Sequence, residues 1–230
     1  TPVNIVDAGI NAIENGFTHY TSSYGLTEFR EKICDATLKS RHFKPDIEQI
    51  LVTPGANIAI FYAITCLVDQ GKEVIVPDPG FPSYYSTIKM CNVTPVKVPL
   101  KEENEFRMDP DDIEKNITED TRLIIINSPQ NPTGSVMTED QIKHTYEIAE
   151  KHDVYLYSDE IYARMVYDNK KFNSPSLYDK CKDRTIISNG FSKAFAMTGW
   201  RLGAIIGPST VIEKMKLLLE TTSSCVSPFI

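Results

Sequence analysis

The sequence predicts an α/β fold: a mainly parallel, mixed central sheet with helices on both faces. Three observations predict it. Apolar runs of strand length alternate with amphipathic stretches of helical length. The run Leu123-Ile124-Ile125-Ile126 is apolar at every position, as in a strand covered on both faces; a half-solvated strand would alternate. The runs are far enough apart to be joined by crossover helices, not by hairpins. The chain has 230 residues, 41% hydrophobic and 24% charged, enough to bury a sizeable core.

Each element follows from local signals. Val6, Ile10 and Ile13 recur at helical spacing in 5–15, with Gly16 as the stop. His19 to Gly25 reads as loop. A helix over Thr27–Arg41 carries Phe29, Ile33, Ala36 and Leu38 as its apolar side. Ile50–Thr53 is a strand, Pro54-Gly55-Ala56 the turn, and Asn57 the N-cap of a helix Ile58–Asp69 that Gly71 closes. Strands Val74–Val76 and Val93–Val98 flank a helix over Ser83–Cys91. Lys101–Asp112 is polar and expected to be exposed, before a short helix near Pro110–Lys115. Leu123–Asn127 is the buried strand. Thr138 and Gln141 form a capping-box pair that starts a helix over 139–151. Val154–Tyr157, Thr185–Ile187 and Leu202–Ile206 are strands, and Ser209–Leu219 a helix. There is no internal repeat.

A formal net charge of −7 argues against nucleic acid or an anionic membrane as the main partner. No apolar run is long enough for a membrane-spanning helix. Five widely spaced cysteines and four histidines show no C-x-x-C or H-E-x-x-H spacing, so no structural metal is expected. Free thiols point to a cytoplasmic protein. The ends, Thr1-Pro2-Val3-Asn4 and Ser227-Pro228-Phe229-Ile230, read as cuts in a longer chain.

In parallel sheets ligands bind beyond the carboxyl ends of the strands, and five features fall there. Gly55-Ala56-Asn57 opens a helix whose N–H groups suit an anion. Phe81 follows Asp78-Pro79-Gly80 and could stack on a flat ring, or simply join the core. Asn131, in Asn131-Pro132-Thr133-Gly134, is a side-chain amide held by a proline-fixed turn. Asp159, after an apolar strand and three residues before Tyr162, is a buried carboxylate needing a cationic or hydrogen-bonded partner, or a helix cap. Lys193 emerges from a Gly/Ser-rich turn between two buried strands, which should take its amine out of water, and Arg201 follows eight residues later. Each has a structural reading of its own. Together they are the parts a pyridoxal phosphate site requires: an amine, a partner for the ring nitrogen, donors to the ring hydroxyl, an anion cradle and a stacking ring.

Gly190-Phe191-Ser192-Lys193 through Arg201-Leu202-Gly203, with Asn131-Pro132-Thr133-Gly134 and Ser158-Asp159-Glu160-Ile161-Tyr162, resembles class I aminotransferases of fold type I, in the aspartate and aromatic aminotransferase subgroup. The resemblance runs from His19-Tyr20 to the helix after Gly207. It implies the following roles. The cofactor is pyridoxal 5'-phosphate, Lys193 forms the internal aldimine and shuttles the proton, and Asp159 keeps the ring nitrogen protonated. Asn131 and Tyr162 bond the ring oxygen, and Phe81 stacks. Gly55, Ala56, Asn57 and Arg201 hold the phosphate, and Tyr20 reaches the phosphate of the neighbouring subunit of a homodimer. Asp159, Lys193 and Tyr162 are then the catalytic set, and amino acids and 2-oxo acids the substrates. Residues 1–230 would be the large cofactor-binding domain, without the C-terminal small domain that carries the arginine for the substrate carboxylate. Relatives often place a hydroxyl residue three before the lysine; here it is Gly190, and Ser192 is not assigned that role. A carbon–sulfur β-lyase, another enzyme on the same scaffold, or a cofactor-binding regulatory domain would share these residues. Arg164 reads as a solvated charge.

Overall fold

The computed structural model describes residues 1–230. Seven strands form one sheet in the order β1-β7-β6-β5-β4-β2-β3. Their ranges are β1 Ile50–Thr53, β2 Glu73–Asp78, β3 Thr94–Pro99, β4 Thr121–Asn127, β5 Tyr155–Asp159, β6 Thr185–Gly190 and β7 Gly203–Ile206. The helices are α1 Val3–Glu14, α2 Thr27–Arg41, α3 Ala56–Leu67, α4 Pro82–Met90, α5 Pro110–Lys115, α6 Glu139–Lys151, α7 Ser176–Asp179 and α8 Ser209–Ser223. Only β7 runs antiparallel to its neighbours, β6 and β1. The mixed, mainly parallel sheet is therefore the one the apolar runs predict.

β4 lies between β2 and β5 with Leu123 to Ile126 all fully buried, which is why its sequence does not alternate. One face of the sheet packs on α3, α4 and α8 around Ile60, Tyr62, Tyr84, Ile125 and Ile205. The other packs on α5 and α6 around Ile124, Ile126, Ile142 and Ile148, with α2 covering the β1–β7 end through Cys34, Ile50 and Ile206. Burial of these side chains, at roughly 1.5–3 kcal/mol each, is the main favourable term.

Pairing fixes the site before any side chain does. Asn127 of β4 stands beside Asp159 of β5, and Asp159 beside Ser188 of β6. β4 and β5 thus end level, and β6 runs two residues further, to Gly190. β2 sends α4 and β3 to one side, whereas β4 lies on its other side. That change of direction opens a crevice at the strand ends.

Several elements depart from the sequence reading. Asn57 is not the N-cap of α3; Gly55 is, with φ 85°, and the helix begins at Ala56. Gly71 does not close α3, which stops at Leu67; it turns the chain into β2 with its N–H on Asn92 O. The buried face of α2 is Arg30, Cys34, Thr37 and Arg41, while Ala36 and Leu38 face outward. It is polar because α2 binds backbone: Arg30 donates to the carbonyls of Ile50 (3.2 Å) and Ile47 (2.5 Å). The apolar stripe of α1 stays open, with Ile10 and Ile13 each 50% exposed and only Gly9 buried. The α6 capping box forms as read, Gln141 N–H donating to Thr138 and Thr138 N–H to Gln141.

The centre of β4 sets stability. Ile124→Ala is expected to lower the unfolding free energy by about 2–5 kcal/mol in urea denaturation, the range for opening a cavity in a close-packed core. A loss below about 1 kcal/mol would mean that the β4 layer is loosely packed.

Candidate active site

A cavity of about 250 Å³ opens at the strand ends, and Ala56, Asn57, Phe81, Asn131, Asp159, Tyr162, Lys193 and Arg201 all line it. Residues spread over 146 positions of sequence meet there because they stand at or just beyond strand ends: Asp159 ends β5, and Arg201 lies just before β7. Gly55 lies just behind. Tyr20 does not join them: it is 85% exposed, beside a separate surface hollow formed with His19, Ser227 and Phe229.

At one end the cavity is receptive to an anion. α3 begins with no side-chain cap, so its first N–H groups are unclaimed by side chains. Arg201 lies against the same turn, its guanidinium donating to Thr198 O at 2.9 Å. The turn requires glycine. A Cβ on Gly55 would sit 2.4 Å from Arg201 Nη2, and φ is positive there. Gly203 is needed for a related reason: a Cβ there would lie 2.7 Å from Ala56 N.

The other end holds a buried carboxylate. Tyr84 O–H donates to Asp159 Oδ2 at 2.7 Å, and Ile161 N–H to Oδ1 at 3.2 Å. Burial pushes the Asp159 carboxyl above its usual range, against the pull of these two donors, and neighbouring Glu160 adds to the rise. Burial drives the Tyr84 phenol well above its ordinary value, with Asp159 reinforcing it. Tyr84 is thus a fixed donor.

Between the two ends, Asn127 organises the wall. Its Nδ2 donates to Asp159 O at 3.0 Å, and its Oδ1 accepts from Asn131 N–H at 2.8 Å. Asn131 is therefore held by hydrogen bonds to the strand end as well as by prolines. Phe81 meets Tyr84 edge-on at 5.7 Å, leaving its own ring in the cavity wall.

Lys193 stands at the mouth. The loop 191–202 leaves β6 and returns as β7, pinched where Gly190 pairs with Gly203. The expectation that this turn withdraws the lysine from water is corrected: Lys193 is exposed, its Nζ 5.8 Å from the Tyr162 ring centre. The loop's base is buried, but its crest is not. Gly190 also has a structural reason, since a Cβ there would meet Ile161 Cδ1 at 2.5 Å. Ser192 lines the cavity instead. Arg164 stays outside, exposed over the Phe195 ring at 5.3 Å. Tyr84, Asn127, Ile60, Ile161 and Thr198 complete the lining; Ile161 and Thr198 fall inside the motifs quoted above, while Tyr84, Asn127 and Ile60 do not.

The donor set suits a flat, phosphorylated pyridine carrying an aldehyde. Bare N–H groups and a guanidinium face one end, a buried acceptor-only carboxylate the other, with an aromatic wall and an amine between.

Residues 1–229 match the family described as aminotransferase class I and II. The chain is 41% identical to an aspartate aminotransferase of Pyrococcus abyssi and 39% identical to aromatic-amino-acid aminotransferase 2 of Thermococcus litoralis. Each match covers 100% of this chain and 59% of the relative. It superposes on an aromatic aminotransferase from Pyrococcus horikoshii with a TM-score of 0.96 at 39% identity, covering 100% of this chain and 62% of that one. The chain thus spans about three fifths of the length of these relatives.

Burying Asp159 has a consequence without any ligand. An acid whose folded pKa exceeds its unfolded value of about 3.9 favours the folded chain most when protonated. That advantage is lost as pH rises from about 3.9 through the raised folded value. Asp159→Asn is therefore expected to melt at a higher temperature than wild type near neutral pH in cofactor-free protein, with the gap closing as pH falls below about 4. A lower melting temperature at neutral pH would show that the ionised carboxylate stabilises the fold.

Proposed function

The chain belongs to the aminotransferase class I and II family, and from that premise we propose that it uses pyridoxal 5'-phosphate to move an amino group between an amino acid and a 2-oxo acid. One observation carries the proposal. Lys193, Asp159 and the Arg201–α3 cradle, from separate parts of the sheet, line a single cavity. When bound, pyridoxal phosphate supplies an electron sink that stabilises charge developing on the substrate carbon.

The chain's own residues divide the work. The N–H groups at Ala56 and Asn57, at the turn made by Gly55, and the Arg201 guanidinium bind the phosphate, with the Ser192 hydroxyl beside them in place of a side chain at position 190. Asp159 holds a proton at the ring nitrogen and is itself held by Tyr84. Asn131 and Tyr162 donate to the ring oxygen. Phe81 covers a face of the ring and excludes water. Lys193 supplies the amine and moves a proton at Nζ, for which its open position at the mouth leaves room.

Two further parts of the proposal concern the setting. Tyr20 reaches out of its own subunit to the phosphate of a neighbour, consistent with its exposure. A homodimer follows. The five free cysteines suit the reducing cytoplasm, and no helix is long and apolar enough to cross a membrane.

Reduction with borohydride after loading with pyridoxal phosphate, then peptide mapping, tests the assignment. The pyridoxyl group is expected on Lys193, and Lys193→Ala is expected to lose both the label and the visible absorbance of the bound cofactor. A label on another lysine, with Lys193 unmodified, would sink the proposal.

A further inference from the structure

β5 ends at Asp159, and a second carboxylate, Glu160, follows it; only Asp159 lines the cavity. Glu160 is fully buried with its side chain directed toward α2. Arg41, the last residue of α2, donates to Glu160 Oε2 through Nε at 2.9 Å and through Nη2. Ser174 donates to Oε1 at 2.5 Å. The guanidinium is only 8% exposed and stands 5.6 Å from the Phe172 ring centre.

A buried ion pair contributes little to stability by itself, because desolvating both charges offsets their attraction. Position is the more informative fact. Asn127 holds the Asp159 carbonyl, and Glu160 N–H donates to Ser188 O at 2.9 Å. Immediately beyond, the chain leaves the sheet in a turn. The Glu160 side chain is therefore the last anchor of the strand end that presents Asp159, tying it to α2 and to the segment before α7.

Charge gives the pair a second effect. Tyr84 from α4 and Tyr157 on β5 face Asp159, and Tyr162 lines the same cavity beside Tyr84. Asp179 and Cys181 lie on the Glu160 side. Arg41 is the only cation in ion-pair contact with either carboxylate. Without it, the negative charge of Glu160 stands unpaired beside Asp159, and a like charge next to a buried carboxyl favours protonation of Asp159.

We propose that Glu160, clamped by Arg41 and Ser174, is a positioning residue that fixes Asp159 against the ring nitrogen of the cofactor, and that Arg41 screens Asp159 from the charge of Glu160. The proposal rests on the cofactor reading above.

The test measures affinity for pyridoxal phosphate against pH by absorbance, together with the nitrogen-15 resonance of a ring-labelled cofactor. Arg41→Met is expected to weaken binding about tenfold along the acid limb of the profile, equivalent to one pKa unit. Binding recovers as pH rises, and the ring resonance moves toward that of the unprotonated ring. Glu160→Gln removes the negative neighbour and keeps the cation, so its acid limb moves to lower pH. The double variant Arg41→Met/Glu160→Gln returns the acid limb to its wild-type position but, lacking the clamp, binds more weakly than wild type at every pH. General structural damage would weaken binding equally at every pH in all three variants, with an unshifted ring resonance, and that result overturns the proposal. If Arg41→Met does not fold, Glu160→Gln alone decides, because an unmoved acid limb is equally fatal. Absence of binding by the wild-type protein overturns the cofactor reading, and this proposal with it.

Discussion

Keeping one carboxylate out of water at the end of β5 is the constraint on which the rest of the site depends. Asp159 is buried in a wall of tyrosines, where an ionised acid is unfavourable unless hydrogen-bonded or paired. The surrounding structure supplies that compensation in layers. Tyr84 and Ile161 occupy the carboxylate oxygens, Asn127 holds the backbone carbonyl, and the β6 ladder holds the next N–H. The level ends of β4 and β5, with Ser188 of β6 beside Asp159, follow from the register of an all-apolar sheet centre. Packing that stabilises the fold therefore also places the charge. On the proposed reading, the protonated ring of a bound cofactor completes the compensation.

The opposite end of the cavity is governed by space. Gly55, Gly190 and Gly203 converge where α3 starts, β7 passes and Arg201 leans in, and a Cβ at any of them would collide with a neighbour. Close approach of three backbones brings an uncapped helix start against a guanidinium, a concentrated positive potential on a chain of net charge −7. The lysine loop is pinned by the Gly190–Gly203 pair and free at its crest. The amine is thereby placed at the mouth without being locked against the wall.

Much of this was legible in the sequence, for identifiable reasons. The uniform apolarity of 123–126 marks a strand covered on both sides, and Thr138 with Gln141 marks a helix start, because both signals are local. The eight lining residues named from motifs stand after strand ends, where short-range signals again suffice. What was not legible depends on partners distant in sequence. Tyr84 reads as one more aromatic in a helix until Asp159 stands opposite. Asn127 reads as the end of a strand. On α2, Phe29 and Ile33 pack as the apolar pattern predicts, but Ala36 and Leu38 face outward, and nothing local reveals that Arg30 will meet carbonyls of 47–50 or that Arg41 will meet Glu160, 119 positions away. Gly55 was read as a turn residue and Asn57 as the cap, because Asn is the commoner cap residue and the need for positive φ shows only in the backbone. The crest of the lysine loop was expected to be dry because the strands beside it are; sequence adjacency to buried strands does not bury a loop.

The central claim is that residues from five strand ends meet around one flat, phosphorylated ring. A crystal structure of the protein grown with pyridoxal phosphate tests it most directly. The account predicts continuous density from Lys193 Nζ into the cofactor, the ring nitrogen within hydrogen-bond distance of Asp159, and the phosphate on the N–H groups of Ala56 and Asn57 beside Arg201. A cofactor bound elsewhere, or bound in this cavity with its phosphate toward Asp159, would contradict it.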